Sequence, residues 1–450
     1  PRELFEVADN IRRKDVLLDS TVQPGHAIRA AIARGPRAAV ETASNERSWR
    51  EAVFAAPQGP LATLEEIKKS NLRGRGGAGF TTGLKWEACR SALGQMRYVV
   101  CNADEGEPGT FKDRELMMRL PHQLIEGMII AGYATLAKVG YIYIRGEYTE
   151  PARAMRRAID EAYQAGYLGK NILGSGVDYD LYIHMGAGSY ECGEESAMMS
   201  SLMGQRGQPR LKFPHAPLPT IAGLWDCPTL INNVETLSCV PAIIRNGGAW
   251  YASMGTEKST GTKIFSVSGH VNKPGNYEVE MGTPLMELLE LAGGVKGKLK
   301  AVIPGGSSVP ILPAEKCDVN LDYESLQAAG TMLGSGGFMV LNDTVCIVRF
   351  MRRTAAFYAH ESCGKCTPCR EGTRWMVKIF DRILAGGGRM EDIDLLLDIC
   401  DQIDGRSYCG LGDAAAWPIR ASIKHYRHEY EYYIQHGHSI VEAQAQAIAV

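Results

Sequence analysis

Nowhere does this sequence stay apolar long enough to cross a bilayer as a helix, which takes about 20 residues. The longest apolar, helix-like run, Leu124–Val139, is interrupted by Glu126 and Gly127 and reads as core. Membrane association is therefore expected only through partners, with no direct insertion. An excess of charge of one sign is also missing. The 49 basic and 51 acidic residues are mixed along the chain and leave a net charge of −2, so nothing favours nucleic acid. A disulfide framework is absent too. Twelve cysteines are spread over 450 residues, and Cys89, Cys101, Cys192, Cys227, Cys239, Cys317 and Cys346 share no spacing pattern, which fits a reducing compartment. No secretory signal opens the chain, and Pro1-Arg2-Glu3 reads as the start of a trimmed product.

What the chain does have is one dense group of thiols. In Cys363-Gly-Lys-Cys366-Thr-Pro-Cys369 three cysteines recur every third residue, so one tight turn, helped by Gly364 and Pro368, can aim all three at one small object. Disulfides would leave one of the three odd. Zinc favours two separated C-x-x-C pairs. A [4Fe–4S] cluster takes three cysteines at this spacing and a fourth from elsewhere, and no cysteine follows closely here. Cys409, flanked by Gly410 in a turn between helical stretches, is the expected fourth ligand. Cys400 lies on the apolar face of Asp392–Ile403 and reads as a core residue.

Glycine is plentiful at 50 residues, as suits loops whose backbone approaches a ligand. Five glycines lie within Gly74–Gly83, between Arg73 and Arg75 on one side and Lys85 on the other. That composition suits a phosphate cradle, yet it lacks the G-K-[ST] of a Walker A loop and the strand–G-x-G-x-x-G–helix context. An apolar strand at Met96–Cys101 runs into Asn102-Ala-Asp104-Glu105-Gly-Glu107, polar side chains at the carboxyl end of a buried strand, where open α/β sheets place ligands. A strand at Tyr179–His184 leads to Gly193-Glu194-Glu195 at a helix start, and Asn232-Asn233 opens another apolar helix.

Strands alternate with helices up to about residue 250, which indicates an α/β domain with a largely parallel sheet. Helices are expected at Thr63–Ser70, N-capped by Thr63, at 121–138 and at 151–165. From Gly261 the style changes to a hairpin (Ile264–Val271, then Asn276–Val279) and a helix Pro284–Leu291 capped by Thr283, the pattern of a small β-grasp-like module. Helical stretches at Val345–His360, Glu371–Leu384, Met390–Ile403 and Ala414–Ile434 suggest a four-helix bundle with the thiols at its loop ends. The expected division is an N-terminal arm over 1–60 with short helices at Ala27–Ala33 and Ser48–Ala56, an α/β domain over 61–250, a β-grasp domain over 261–343, a helical bundle over 345–437 and a tail over 438–450.

Five segments together carry a family resemblance: RGRGGAGFTTGLKW at 73–86, CNADEGEPGTFKDR at 101–114, GAGSYECGEE at 186–195, NNVETL at 232–237 and SCGKCTPCR at 362–370. They are similar, in sequence and in order, to the NADH- and flavin-binding subunit of respiratory NADH:quinone oxidoreductase (complex I), from about residue 60 to 430. The resemblance implies a Rossmann-like flavin/NADH domain, an SLBB-type (ubiquitin-like) β-grasp module and a helical bundle carrying one [4Fe–4S] cluster. It implies FMN held by Gly74, Arg75, Gly76, Lys85, Asn102, Asp104, Glu105, Gly193, Glu194, Asn232, Asn233 and Thr236. It implies NADH/NAD+ against Gly77, Phe80, Glu107, Tyr190, Glu195 and Lys212, and the cluster on Cys363, Cys366, Cys369 and Cys409.

The implied chemistry is hydride transfer from NADH to FMN, then single electrons to the cluster and on to quinone through partners. Those partners are a thioredoxin-like [2Fe–2S] subunit and the iron–sulfur-rich large subunit of the peripheral arm. The implied place is the cytoplasmic side of the inner membrane in a bacterium, or the matrix side in an organelle. Glu107 and Glu195 would disfavour a 2′-phosphate, so NADH is expected over NADPH. Two positions depart from the family pattern: His215 stands where an aromatic is expected after Lys212, and Ala88 replaces another. Diaphorase subunits of NAD-dependent formate dehydrogenases and NAD-reducing hydrogenases share these motifs and form the alternative.

Overall fold

The computed structural model describes residues 59–211 and 214–448. The expected N-terminal arm and its helices lie outside the described residues except for positions 59 and 60, and so does Lys212.

The first unit contains α1 (Gly59–Lys69), α2 (Thr82–Ser91), β1 (Tyr98–Ala103), α3 (Lys112–Arg119), α4 (Pro121–Thr135), β2 (Val139–Ile144), α5 (Thr149–Gln164), β3 (Asp180–Met185), α6 (Glu195–Leu202), β4 (Thr229–Asn233), α7 (Val234–Asn246) and α8 (Gly248–Ala252). The four strands form a parallel sheet in the order β3-β2-β1-β4. The chain steps outward from β1 through β2 to β3 and then returns to the other side of β1, so the order reverses between β1 and β4. Asn102 and Asn233 pair in register at the carboxyl ends of those two strands. An open α/β sheet leaves a crevice for ligand at such a reversal.

One face of the sheet carries the larger core, built from Val99, Cys101, Ile142 and helices α1, α4, α5 and α7. Gly127, which interrupts the apolar run of α4, is there for packing: a Cβ on it would stand 2.0 Å from the Leu237 carbonyl oxygen of α7. The other face packs Val100, Tyr143 and Ile231 under Met198 and Met199 of α6.

Two expected caps are corrected. Thr63 does not start α1. The helix begins four residues earlier, with Pro60 in its first turn, and the Thr63 hydroxyl donates to the Gly59 carbonyl one turn back. Thr283 does not cap the helix after the hairpin. Its hydroxyl donates to the Glu280 carbonyl, and Pro284 occupies the capping position.

The second unit comprises β5 (Thr262–Gly269), β6 (Gly275–Glu280), α9 (Leu285–Leu291), β7 (Leu299–Ile303), β8 (Leu312–Pro313), α10 (Tyr323–Ala328) and β9 (Gly337–Asn342). Its sheet runs β6-β5-β9-β7-β8, antiparallel except for β5 with β9. In the third unit α11 (Ile347–Glu361), α12 (Thr367–Arg382), α13 (Glu391–Ile403) and α14 (Gly410–His436) pack in succession, and α14 closes back on α11. Tyr358, Met376, Phe380, Ile403 and Ile419 fill the space between them. After Gly437, in left-handed conformation, α15 (Ile440–Ile448) follows.

Candidate functional site

The crevice between β1 and β4 opens into a cavity of about 250 Å³. Gly76 and Gly193 put bare backbone on its wall. A Cβ on Gly193 would meet only the Asp104 carbonyl oxygen, at 3.4 Å, and one on Gly76 would press on Asn233 at 3.0 Å. Asn102 donates its side-chain amide to the Gly193 carbonyl at 2.8 Å, which ties the end of β1 to the turn before α6. Asp104 is mostly buried on the same wall. Burial pushes its carboxyl up to about 7, with Glu147 and Glu361 adding and Arg145 opposing.

Glu105 also reaches the cavity, but its carboxylate is engaged: it accepts the backbone N–H groups of Asp113 and Arg114 at the start of α3 and the hydroxyl of Tyr148. Glu194 caps α6, accepting from the N–H groups of Ser196 and Ala197. Asn232 and Thr236 stand behind the wall. The Asn232 side-chain oxygen accepts the Trp86 indole N–H at 2.8 Å, and the Thr236 hydroxyl accepts the Arg75 backbone N–H at 2.8 Å.

The glycine-rich loop is anchored from behind. The Gly74 N–H donates to the Phe80 carbonyl, and the Gly74 carbonyl accepts from Tyr323. Arg75 corrects the sequence expectation of a positive charge offered to a ligand. Its guanidinium is fully buried and donates to the carbonyls of Arg73, Thr260 and Thr262 and to the Tyr251 hydroxyl. A glycine-rich loop has few side chains with which to pack, and its own Arg75 stitches it to β5.

Lys85 lies in α2 and meets Glu195, the first residue of α6, at 3.0 Å. Phe80 is 59 % exposed at the loop tip, a large apolar ring open to solvent beside Gly77, whose φ of 133° favours glycine. Glu107 is half-buried and accepts from the Tyr190 hydroxyl (2.7 Å), the Ser308 N–H (2.8 Å) and the Ser307 hydroxyl. Burial raises its carboxyl above the ordinary range against these hydrogen bonds. Tyr190 is wedged edge-on against Phe357 and Tyr358 of α11.

The thiols are placed more tightly than loop ends would place them. Cys366 is the N-cap of α12 and Cys369 lies in its first turn, because Pro368, which the sequence suggested as a bend, is accepted in the first turn of a helix. Cys409 is the N-cap of α14. Helix N-termini favour the thiolate that a metal centre needs. Gly364, at φ 76°, turns the chain between Cys363 and Cys366.

The four thiols form one electrostatic group: Cys363 feels Cys366, Cys369 feels both, and Cys409 feels Cys369. Burial pushes Cys369 up to about 11 and raises Cys363 and Cys409. Four soft sulfur donors suit an iron–sulfur centre. Among the described residues, no three His, Cys, Asp or Glu side chains converge on a point fit for a single metal ion. Cys400 is fully buried in the helical core, its sulfur 3.8 Å from that of Met376.

Sequence reasoning missed three residues. Glu191, buried, lies against the Cys409 thiol and lines the cavity. Lys112 and Asp113, both buried, also line the cavity. Each sits inside one of the five family-like segments, but charge in a polar turn reads locally as solvated surface. Cys409, Gly410 and Leu411 line the same cavity as Gly76 and Gly193, so the thiol group and the glycine-walled crevice share one wall.

Bare backbone at a sheet crossover beside a group of thiols suits an oxidoreductase component that carries a flavin and an iron–sulfur centre. Three family models match in the same order as the three units: the Nuo51 FMN-binding domain over 67–242, the SLBB domain over 264–312 and the NADH-ubiquinone oxidoreductase-F iron-sulfur binding region over 349–433. NADH-quinone oxidoreductase-F of Mycobacterium tuberculosis (strain H37Rv) is 52% identical over 397 residues, 87% of this chain and 88% of that one. Its counterpart in Rickettsia bellii is 52% identical over 392 residues, 86% of this chain and 93% of its own. The crystal structure of a NAD+-reducing [NiFe]-hydrogenase in the H2-reduced state superimposes with a TM-score of 0.80 at 36% identity, covering 96% of this chain and 67% of that chain. The chain belongs to the NADH-quinone oxidoreductase-F family. Among the described residues no helix is long and apolar enough to cross a membrane.

Proposed function

We propose that this chain is the electron-input subunit of an NADH:quinone oxidoreductase, with FMN in the crevice cavity and a [4Fe–4S] cluster on Cys363, Cys366, Cys369 and Cys409. The observation that carries the reading is the shared cavity, lined by Gly76 and Gly193 on one side and by Cys409 on the other. FMN, when bound, supplies the chemistry of taking a hydride from NADH and passing electrons on singly.

The chain's own residues bind, orient and screen. Gly76 and Gly193 leave room for a flat ring against backbone. Asn102 and Asn233 offer polar side chains at its edge. Gly74, Asn232, Thr236 and Arg75 hold the wall rigid from behind. Lys85, near the N-terminus of α6, adds positive charge where negative charge accumulates on reduction. Phe80, Gly77, Tyr190 and Lys212 take the nicotinamide nucleotide, with Glu107 and Glu195 beside its ribose. No side chain of this set need act as acid or base.

The first unit is read as a Rossmann-like domain over 61–250, the second as a β-grasp domain over 261–343, and the third as a four-helix bundle over 345–437. The partners are a thioredoxin-like [2Fe–2S] subunit and the iron–sulfur-rich large subunit of the peripheral arm, on the cytoplasmic face in a bacterium or the matrix face in an organelle. The likeness to a NAD+-reducing hydrogenase over 96% of the chain favours one alternative host, a hydrogenase diaphorase. Anaerobic reconstitution of the full chain with FMN, iron and sulfide tests the cofactor assignment. One flavin and four irons per chain are expected; a chain that retains neither would remove it. Co-purification from the native cell decides between quinone-reducing and hydrogen-oxidising partners.

A further inference from the structure

Asp113 and Lys112 have no assigned role, yet both side chains are within 3 % of full burial at the cavity wall. The Lys112 ammonium stands 2.7 Å from Asp113 and 2.8 Å from Glu235. Glu235 in turn meets Lys263 of β5 at 3.6 Å, and Lys263 donates to the Ser335 and Arg75 carbonyls. Burial works against the Lys112 charge, but Asp113, Glu235 and Glu105 outweigh it and hold the ammonium protonated. A buried charge row of this kind adds little net stability over an apolar replacement, which points to a role in specifying geometry.

The geometry it specifies is the side chain of Asn233. The Asn233 oxygen accepts the Glu235 backbone N–H at 3.0 Å and faces Lys112 at 3.4 Å; both are donors, so that atom is the oxygen. The Asn233 nitrogen donates to the Asp113 carboxylate at 2.7 Å, an acceptor, which fixes the same orientation independently. Among the described residues the second hydrogen of that nitrogen meets only the Asn102 carbonyl, at 3.5 Å, too far for a strong bond. Asn233 itself lines the cavity.

We infer that Asp113, held by Lys112, is a positioning residue that locks the Asn233 amide with an N–H donor directed at the bound isoalloxazine or ribityl oxygens. This rests on the flavin reading of the cavity. The test uses the full chain, freed of flavin and titrated with FMN. Asp113→Ala removes the acceptor and is expected to weaken FMN binding about tenfold, the loss of one well-placed hydrogen bond. Asp113→Asn has a single oxygen for two donors, Lys112 on Oδ1 and Asn233 on Oδ2, and is expected to weaken FMN binding by no more than Asp113→Ala does. The double exchange Asn233→Asp/Asp113→Asn restores the mutual hydrogen bond with its polarity reversed, keeps the packing and removes the donor. It is expected to bind FMN as weakly as Asp113→Ala and to shift the flavin midpoint potential, while the cluster EPR signal is unchanged.

Wild-type affinity and potential in the double exchange would overturn the inference, and so would wild-type FMN affinity in Asp113→Ala. A wild-type chain that takes up no FMN would instead remove the flavin reading itself.

Discussion

The hydroxyl of Tyr323 donates to the carbonyl oxygen of Gly74 across 2.7 Å, which joins the second unit to the back of the glycine-rich loop. The Arg73 guanidinium lies 3.9 Å from the centre of the same ring and pairs with Glu324. Gly79 folds over that ring so closely that a Cβ on it would stand 2.5 Å away. The second unit thus forms the floor of the glycine-rich loop.

Tyr323→Phe removes this one hydrogen bond and leaves the ring in place. The expected cost is about 1 kcal/mol of stability, plus one Gly74 carbonyl without a partner. Denaturant unfolding measures the first, and FMN retention on gel filtration reads the loosened loop. Unchanged unfolding and flavin retention would mean the contact does not hold the loop.

Asp104 gives a pH dependence of defined sign. Its carboxyl sits at about 7 in the folded chain against an ordinary 3.8, so between those values the folded chain keeps a proton that the unfolded chain has lost. Its contribution is complete below about pH 4 and disappears as pH rises through 7. Glu105, pushed up to about 7 mainly by burial, acts in the same direction. Lys263, pushed down to about 8 by burial, acts oppositely and only above that value. The cofactor-free wild type should therefore lose more stability between roughly pH 5 and pH 7.5 than Asp104→Asn does, as urea titrations at each pH would measure.

Cys409→Ser should abolish the EPR signal of the [4Fe–4S] centre and leave FMN bound, since serine keeps the size of the side chain at the cavity wall. Cys400→Ala should leave the signal intact and cost about 1 kcal/mol through a small core cavity. A cluster lost with Cys400 and kept without Cys409 would reverse the ligand assignment.

On the proposed placement of the nucleotide, Glu107 and Glu195 bring carboxylates to its ribose, and Lys85 pairs with Glu195. NADPH should reduce the protein at least about tenfold more slowly than NADH. Equal rates in a stopped-flow comparison would contradict the placement of these acids.

The sequence made the polar strand ends, the glycine loop and the thiol run legible because each is a local chemical pattern. Asn102 and Asn233 do meet at the sheet reversal, and Cys366 and Cys409 each lie near Cys369. What stayed hidden depends on residues far apart in the chain. Arg75 reads as a ligand charge until Thr262 and Tyr251 are seen to absorb it. Glu107 reads as an acidic turn until Ser307 and Ser308, some 200 positions later, are seen to bind it. Thr63 carries the pattern of an N-cap, but Pro60 starts the helix earlier and the pattern lands one turn inside it.

The most direct test is an anaerobic NADH titration of the reconstituted full chain, recording flavin absorbance and EPR together. The account predicts bleaching of the flavin band followed by a single fast-relaxing [4Fe–4S] signal, with both lost when Cys409→Ser is combined with removal of FMN. A chain that holds flavin and cluster yet shows neither bleaching nor signal with NADH would contradict it.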